Sequence, residues 1–174
     1  MAIRSIIIAP DPRLKIRSKR VKEVDETTAK LMADLLETMY AAPGIGLAAP
    51  QIGAAIRVIA VDTARKDDEP TPLQMANPTL LSASKELWTY EEGCLSLPEY
   101  YADIKRPAKI RVSYLDETNT KREIEAEELL ATCILHEMDH LDGILFVDHI
   151  SALKRNMILR KLVKIKKLKE QDAA

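Results

Sequence analysis

Apolar residues recur at helical spacing in three segments of the chain, and each of these segments is predicted to be an amphipathic helix. The first covers residues 25–42 and is followed by Pro43 and Gly44, which are helix-ending residues. The second covers residues 127–141, and the third covers about residues 151–169. Candidates for the N-cap of the first helix are Asp25, Thr27 and Thr28.

Shorter apolar or alternating segments predict antiparallel strands. Residues 109–115 alternate apolar with polar side chains, residues 116–119 are turn-like, and residues 120–126 can return as the second strand of a hairpin. The other predicted strands are residues 56–61, 75–81 and 86–90, a strand around Ile104, and an edge strand or extended arm over residues 3–8. We therefore predict an α+β fold with antiparallel sheets surrounding a central helix, and with a C-terminal helix. The length of 174 residues fits one domain, 1–174.

The five glycines of the chain are unevenly distributed. Three lie within residues 44–53, and the others are Gly93 and Gly143, the latter placed to cap the second helix. Glycine allows positive φ and close backbone approach, so we expect structured turns or ligand contacts here and not flexible linkers. Because no third glycine follows Gly44 and Gly46 at the dinucleotide-binding spacing and no GK[ST] sequence is present, a nucleotide site is not favoured.

Charge and composition exclude several classes of protein. The formal net charge of −1 argues against a globally basic nucleic-acid binder. No apolar stretch approaches the length of a signal core or a membrane span, so we expect a cytoplasmic protein without a membrane partner. We also expect a monomer. Because the cytosol is reducing and histidines are nearby, a thiolate metal ligand is favoured over a disulfide between Cys94 and Cys133.

His136 and His140 lie four residues apart on the second predicted helix, which places them on one face. This HExxH pattern predicts a divalent metal site with an open position for water. Glu137, between the two histidines, is then a free carboxylate that can take a proton from that water. The pattern leaves at least one ligand unassigned.

Two protease patterns for the remaining ligand do not fit. The HExxHxxGxxH pattern requires a third histidine at position 146, where this chain has Phe146. The other class uses a downstream glutamate, but Glu170, at the end of a lysine-rich tail, is the only one after Glu137. A metallopeptidase is therefore disfavoured.

Three further side chains can be judged by position. Cys133 lies two helical turns, about 10 Å, from His140 and could hardly share its ion. His149 follows the helix so closely that it would have to fold back, and a surface or hydrogen-bonding role is favoured for it. Cys94 remains, in a loop-like segment that can present a thiolate.

Three motifs occur in order: GIGLAAPQ at 44–51, EGCLSLP at 92–98, and HEMDH at 136–140 followed by LDGILFVD. Together they resemble the signature of peptide deformylase, and the similarity extends to the DPRL sequence at 11–14 and the NP pair at 77–78. The resemblance implies an α+β metal-dependent amide hydrolase that removes the formyl group from N-terminal formylmethionine of new polypeptides and releases formate. A closed structural metal site or an inactive binding module is the non-enzymatic alternative.

By position, the resemblance implies that Cys94, His136 and His140 bind Fe²⁺, for which Zn²⁺, Ni²⁺ or Co²⁺ can substitute. A metal-bound water would be the nucleophile and Glu137 the general base and acid. The Gln51 side-chain amide and the Leu95 backbone N–H would stabilise the oxyanion. The apolar slot for the methionine has as candidates Ile45, Gly46, Tyr90, Leu95, Leu129, Thr132 and Cys133.

Two positions of the resemblance stay open. Many members carry arginine where this chain has Tyr101, which puts in doubt the contact made by that arginine, although Arg106 remains. Glu92 can be either a partner of a metal ligand or a surface carboxylate.

The tail over residues 153–169 holds eight basic residues and no acidic ones. Ile158, Leu162, Ile165 and Leu168 repeat at helical spacing, so one face is predicted to pack and the other to present positive charge. A solvated face is the commoner interpretation of such a pattern, and a membrane-surface helix is another. Since the resemblance implies a nascent-chain substrate, we favour docking on rRNA phosphates near the ribosomal exit tunnel.

Overall fold

The computed structural model describes residues 2–173, over which the chain forms three α-helices and seven strands. The helices are α1 (Glu26–Ala41), α2 (Glu128–Leu141) and α3 (Ala152–Ala173). The strands are β1 (Gly46–Ala48), β2 (Val58–Val61), β3 (Leu73–Ala83), β4 (Leu87–Cys94), β5 (Leu97–Pro107), β6 (Lys109–Leu115) and β7 (Lys121–Glu127). Short 3-10 helices cover Pro12–Lys15, Ala49–Ile52 and Phe146–His149.

The strands form two antiparallel sheets. One has five strands in the order β1-β2-β3-β6-β7, and the other is the β4-β5 hairpin. Helix α2 contacts strands of both sheets, which brings its residues close to the hairpin as well as to the larger sheet.

Strand β2 is buried along its whole length because helices cover both faces of the sheet at this point. Val58 and Ala60 belong to a core that they share with Met32, Leu35 and Met39 of α1. Ile59 and Val61 belong to the core on the opposite face, with Ala131, Ile134 and Leu141 of α2. Alternate residues of a strand point to opposite faces, so a continuous apolar run is required here.

The predicted helices and the β6-β7 hairpin are present, with boundaries shifted by a few residues. The Asp25 carboxylate accepts from the backbone N–H of Thr28, which identifies Asp25 as the N-cap. Residues 3–8 form an extended arm outside the strands of the two sheets. Its Ile7 N–H donates to the carbonyl of Gln51, so the arm reaches the segment beside the site.

One structural expectation was wrong, and one strand was missed. The segment ending at Cys94 is strand and not loop, because Glu91–Gly93 pair in register with residues 101–103 of β5. Strand β1 was not predicted, since its three residues Gly46–Ala48 are too few to show an alternating side-chain pattern.

Helix α3 packs over a shorter length than predicted. Ile158 and Leu162 are buried against Leu145, Phe146 and β5, whereas Ile165 and Leu168 are 40% and 51% exposed. The reason is that only the first half of α3 reaches the core, while Ile165 lines an open groove facing the N-terminal arm. Among the described helices none is both long and apolar enough to cross a bilayer.

Candidate metal and catalytic site

Three side chains on two elements converge at one point. His136 and His140 lie one turn apart on α2, and Cys94 ends β4. Ligand atoms from these residues all lie within 4.8 Å of one another, and Cys94 Sγ is 3.3 Å from His140 Nε2. Ligands bonded to one ion at about 2.0–2.3 Å lie roughly 3–4 Å apart, so the donor set and its spacing fit a divalent transition metal.

The Cys94 sulfur is oriented by neighbours from two segments. A register irregularity between Gly93 and Cys94 turns the chain at the end of the hairpin. The Ser96 backbone N–H donates to Cys94 Sγ at 3.4 Å, and Gln51 Nε2 donates to it at 3.5 Å. Both donors complement a thiolate.

Glu92 fixes the orientation of His136. Its Oε1 lies 2.8 Å from His136 Nδ1, and because an ionised carboxylate only accepts, Nδ1 carries the proton and Nε2 keeps its lone pair for a metal. Arg106 donates to both oxygens of Glu92, at 2.6 Å and 3.0 Å. Burial by itself would raise the pKa of Glu92, but the hydrogen bonds from His136 and Arg106 outweigh it and hold that pKa below its usual range.

Glu137 is a buried carboxylate beside the three ligand atoms. Its Oε1 lies 4.0 Å from His136 Nε2, and its Oε2 has no hydrogen-bond partner among the described residues. Burial raises the pKa of Glu137 to about 7. This carboxylate is therefore poised to exchange a proton with a molecule bound at the site.

Gln51 presents its amide N–H₂ toward the ligand group. Its Oε1 accepts from the Ala48 backbone N–H at 2.9 Å, which fixes the orientation of the amide. Its Nε2 donates to Ser96 Oγ at 3.0 Å in addition to the Cys94 sulfur. The side chain is 1% exposed, so these contacts hold it rigidly at the site.

The candidates for the apolar slot fall into three groups. On α2, one stripe at helical spacing contains Leu129, Thr132, Cys133, His136 and His140. Facing that stripe, the carbonyl of Ile45 accepts from Cys133 Sγ at 3.3 Å, and Gly46 lies against Cys133 and Glu137. Cys133 therefore lies beside the site without joining the ligand group.

The third group belongs to the hairpin. Tyr90 lies on the same face of β4 as Glu92, two residues away, and stacks on Trp88 with ring centroids 5.4 Å apart. The Leu95 side chain lies over Gly44, at the start of the glycine-rich stretch. Tyr101 is 63% exposed, and its ring covers Gly93.

Phe146 takes the position at which the metalloprotease pattern has its third histidine. It is buried, and its ring stacks on His136 with centroids 6.3 Å apart. It therefore packs against one of the three candidate ligands. A groove of ≈ 990 Å³ between the N-terminal arm and α3 is larger than the space around Cys94, but the donor atoms and not the cavity size identify the site.

A family model described as polypeptide deformylase matches residues 3–156. The chain belongs to the peptide deformylase family. A peptide deformylase of Methylocella silvestris is 54% identical over 175 residues, covering 99% of this chain and 89% of that one. The peptide deformylase structure from Ehrlichia chaffeensis matches with a TM-score of 0.91 and 36% identity over 99% of this chain and 100% of that one. The corresponding structure from Legionella pneumophila gives a TM-score of 0.88 and 43% identity over 97% and 98%.

The predicted family is thereby confirmed, and the chain is an enzyme of the peptide deformylase fold with antiparallel sheets and a C-terminal helix. The family is one of metalloenzymes, and Cys94, His136 and His140 are the group in the described chain that can hold the ion. The open question about Glu92 is answered, since it is 3% exposed and hydrogen-bonded to His136, one of the three candidate ligands. Arg106 is engaged by carboxylates inside the protein.

Sequence reasoning missed two side chains that contact the candidate site. Ser96 holds Gln51, and Asp139 holds Arg106 at 2.9 Å. Both lie inside recognised motifs, one after Leu95 and the other before His140, so proximity to the ligands was the available signal.

Proposed function

We propose that this chain removes the formyl group from the N-terminal formylmethionine of newly synthesised polypeptides and releases formate. The observation that carries the proposal is the convergence of Cys94, His136 and His140 beside the buried, unpaired Glu137 oxygen. A single catalytic domain with the HExxH helix at its centre is supported by the contacts of α2 with both sheets.

The metal we propose is Fe²⁺, with Zn²⁺, Ni²⁺ or Co²⁺ able to replace it. One thiolate and two imidazoles suit these ions better than they suit Mg²⁺ or Ca²⁺, which prefer oxygen. Held by these three side chains, such an ion would activate a water molecule and polarise the formyl oxygen. Glu92 and Arg106 keep His136 oriented for this task.

Glu137 handles the protons. Its free Oε2 takes a proton from the attacking water and later gives it to the amine that leaves when the C–N bond breaks. Because its carboxylate lies outside the ligand group, it stays available in both steps.

Gln51 and Leu95 stabilise the charge that develops on the formyl oxygen. Gln51 Nε2 is already aimed at the ligand group, and the Leu95 backbone N–H belongs to the residue next to Cys94. Donors fixed before the reaction need no reorganisation in the transition state.

The methionine side chain is proposed to enter between α2 and the glycine-rich segment. Cys133 and Thr132 are buried there, Leu129 is half-buried on the same stripe, and the Ile45–Gly46 backbone faces them. Tyr90 and Leu95 on the hairpin side complete the apolar wall.

The test is formate release from a formyl-methionyl tripeptide, measured anaerobically with Fe²⁺ or Ni²⁺ loaded. We expect turnover by the wild-type chain and a loss of about 10²- to 10⁴-fold in Glu137→Ala, whose metal content stays at the wild-type level. The unformylated tripeptide is the matched control for peptide cleavage. Metal loading without formate release would refute the proposal, and loss of metal in Glu137→Ala would remove its assigned role.

We also propose that α3 docks the enzyme on ribosomal RNA near the exit tunnel. Lys161, Lys164 and Lys167 are exposed, and none of them forms an ion pair with another described residue. Reversing these three charges should leave turnover of a short formyl peptide unchanged, while salt-sensitive cosedimentation with ribosomes falls. Binding that is unaffected by the reversals, or by salt, would leave α3 as a solvated helix.

A further inference from the structure

A second set of contacts begins at the protein surface, at His149. Its Nε2 lies 2.8 Å from Asp139 Oδ2, and because a carboxylate only accepts, His149 is the donor. Arg106 Nη1 donates to the same Asp139 oxygen at 2.9 Å. Asp139 is therefore held from two sides, by a partly exposed imidazole and by a buried guanidinium.

This set of contacts is continuous with the metal ligand. Arg106 also donates to Glu92, through Nε and Nη2, and Glu92 accepts from His136 Nδ1. Side-chain exposure falls along the series from 38% at His149 and 21% at Asp139 to 7% at Arg106 and 3% at Glu92. Donors and acceptors alternate at every step, so each group fixes the direction of the next.

Asp139 is the member most able to turn away. It is the more exposed of the two carboxylates on Arg106, and a rotation about its side chain would replace Arg106 by water. His149 opposes that rotation because it binds the oxygen that faces Arg106. A guanidinium held by two fixed carboxylates keeps its plane, and with it the position of Glu92.

His149 is itself anchored by packing. It ends the 3-10 helix Phe146–His149, in which Phe146 and Val147 are buried. Lys15 holds the same segment through Asp148 at 2.7 Å, on a separate set of atoms. The segment after α2 is thus braced against two parts of the chain.

We propose that His149 is a positioning residue that acts through Asp139, Arg106 and Glu92 to hold His136 in its metal-binding orientation. This inference rests on the proposed metal site. Removing the His149 contact should speed metal release. When Glu92 is held less firmly, the His136 ring that it orients spends less time aligned on the ion.

The experiment measures release of Co²⁺ from the loaded full-length protein to a chelator, together with the visible spectrum of the bound ion. Removing a direct hydrogen-bond partner of a ligand typically lowers metal affinity by about 10- to 100-fold. Because His149 is more remote, we expect His149→Asn to speed Co²⁺ release by about 3- to 10-fold. His149→Gln places an amide N–H₂ where Nε2 was and should restore the wild-type rate. Asn offers the same group one methylene short of Asp139, which makes the two variants a matched pair.

Two controls separate this role from general loosening. Lys15→Met removes the Lys15 contact to Asp148 in the same segment and should leave the rate of Co²⁺ release unchanged. In an Asp139→Asn background, His149→Asn should add nothing, because the group through which it acts has already been altered. Equal rates for the Asn and Gln variants, or an undiminished effect in the Asp139→Asn background, would overturn the inference. Failure of the wild-type chain to bind Co²⁺ would instead count against the proposed metal site.

Discussion

Gly46 lies so close to Glu137 that a Cβ atom at position 46 would stand 2.5 Å from Glu137 Oε1 and 2.9 Å from Cys133 Sγ. The glycine-rich segment therefore shapes the position of the proposed general base. This requirement for close approach is met only by a residue without a side chain.

Gly46→Ala should lower kcat for formate release by about 10- to 100-fold, because a displaced carboxylate no longer meets the proton it must take. Metal content should not change, since Glu137 lies outside the ligand group. The control is Gly44→Ala, whose Cβ would meet the flexible end of Leu95 at 2.7 Å and should cost less. Equal losses in both variants would show that the segment is sensitive in general and not at Glu137.

Gln51→Leu should lower kcat by about 10²- to 10³-fold with little change in KM, the size expected for one oxyanion donor. The variant also leaves the buried Ala48 N–H unpaired, so we expect a loss of about 1–3 kcal/mol in unfolding free energy. Ser96→Ala removes the Gln51 contact to Ser96 Oγ and keeps the amide, so its kcat should stay much closer to wild type. Near-normal kcat in Gln51→Leu would remove Gln51 from the mechanism.

Cys94→Ser should weaken or exchange the metal, whereas Cys133→Ser should retain close to wild-type metal content. The reason is that Cys133 Sγ donates to the Ile45 carbonyl, and burial raises the pKa of its thiol well above the usual range, so it remains a neutral thiol. Metal analysis of both proteins after the same loading and desalting checks this. An emptied site in Cys133→Ser would contradict the ligand assignment.

Gly143→Ala should destabilise the fold strongly. Gly143 has φ of +73°, and a Cβ there would lie 2.5 Å from the Lys15 carbonyl oxygen, which belongs to the backbone and cannot move alone. Gly53 has a similar φ of +87°, but its nearest neighbours would be 3.9 Å away. We expect about 1–2 kcal/mol for Gly53→Ala from conformation alone, and clearly more for Gly143→Ala, by denaturant unfolding. Equal values would mean that the neighbouring segment yields to the added methyl group.

The local sequence pattern was sufficient to predict the helices and the pairing of the two histidines of the candidate site. Asp25 as N-cap, α1 and the shared face of His136 and His140 follow from spacing along one element, which a sequence states directly. The same spacing predicted that Cys133 and His140 lie too far apart to share an ion. The motifs around Gly46 and Cys94 were identified by their resemblance to the family, because spacing along one element does not place them near the histidines.

What only the tertiary structure decided is how separate elements meet. Cys94 precedes His136 by 42 residues, and the β4-β5 hairpin had to pack on α2 before their donor atoms could share one point. The partnership of Glu92 with His136 and the series from Arg106 to His149 depend on the same packing. Sequence periodicity fixes which face of an element a side chain occupies. The distance between the faces of two elements is set by long-range packing, about which periodicity carries no direct information.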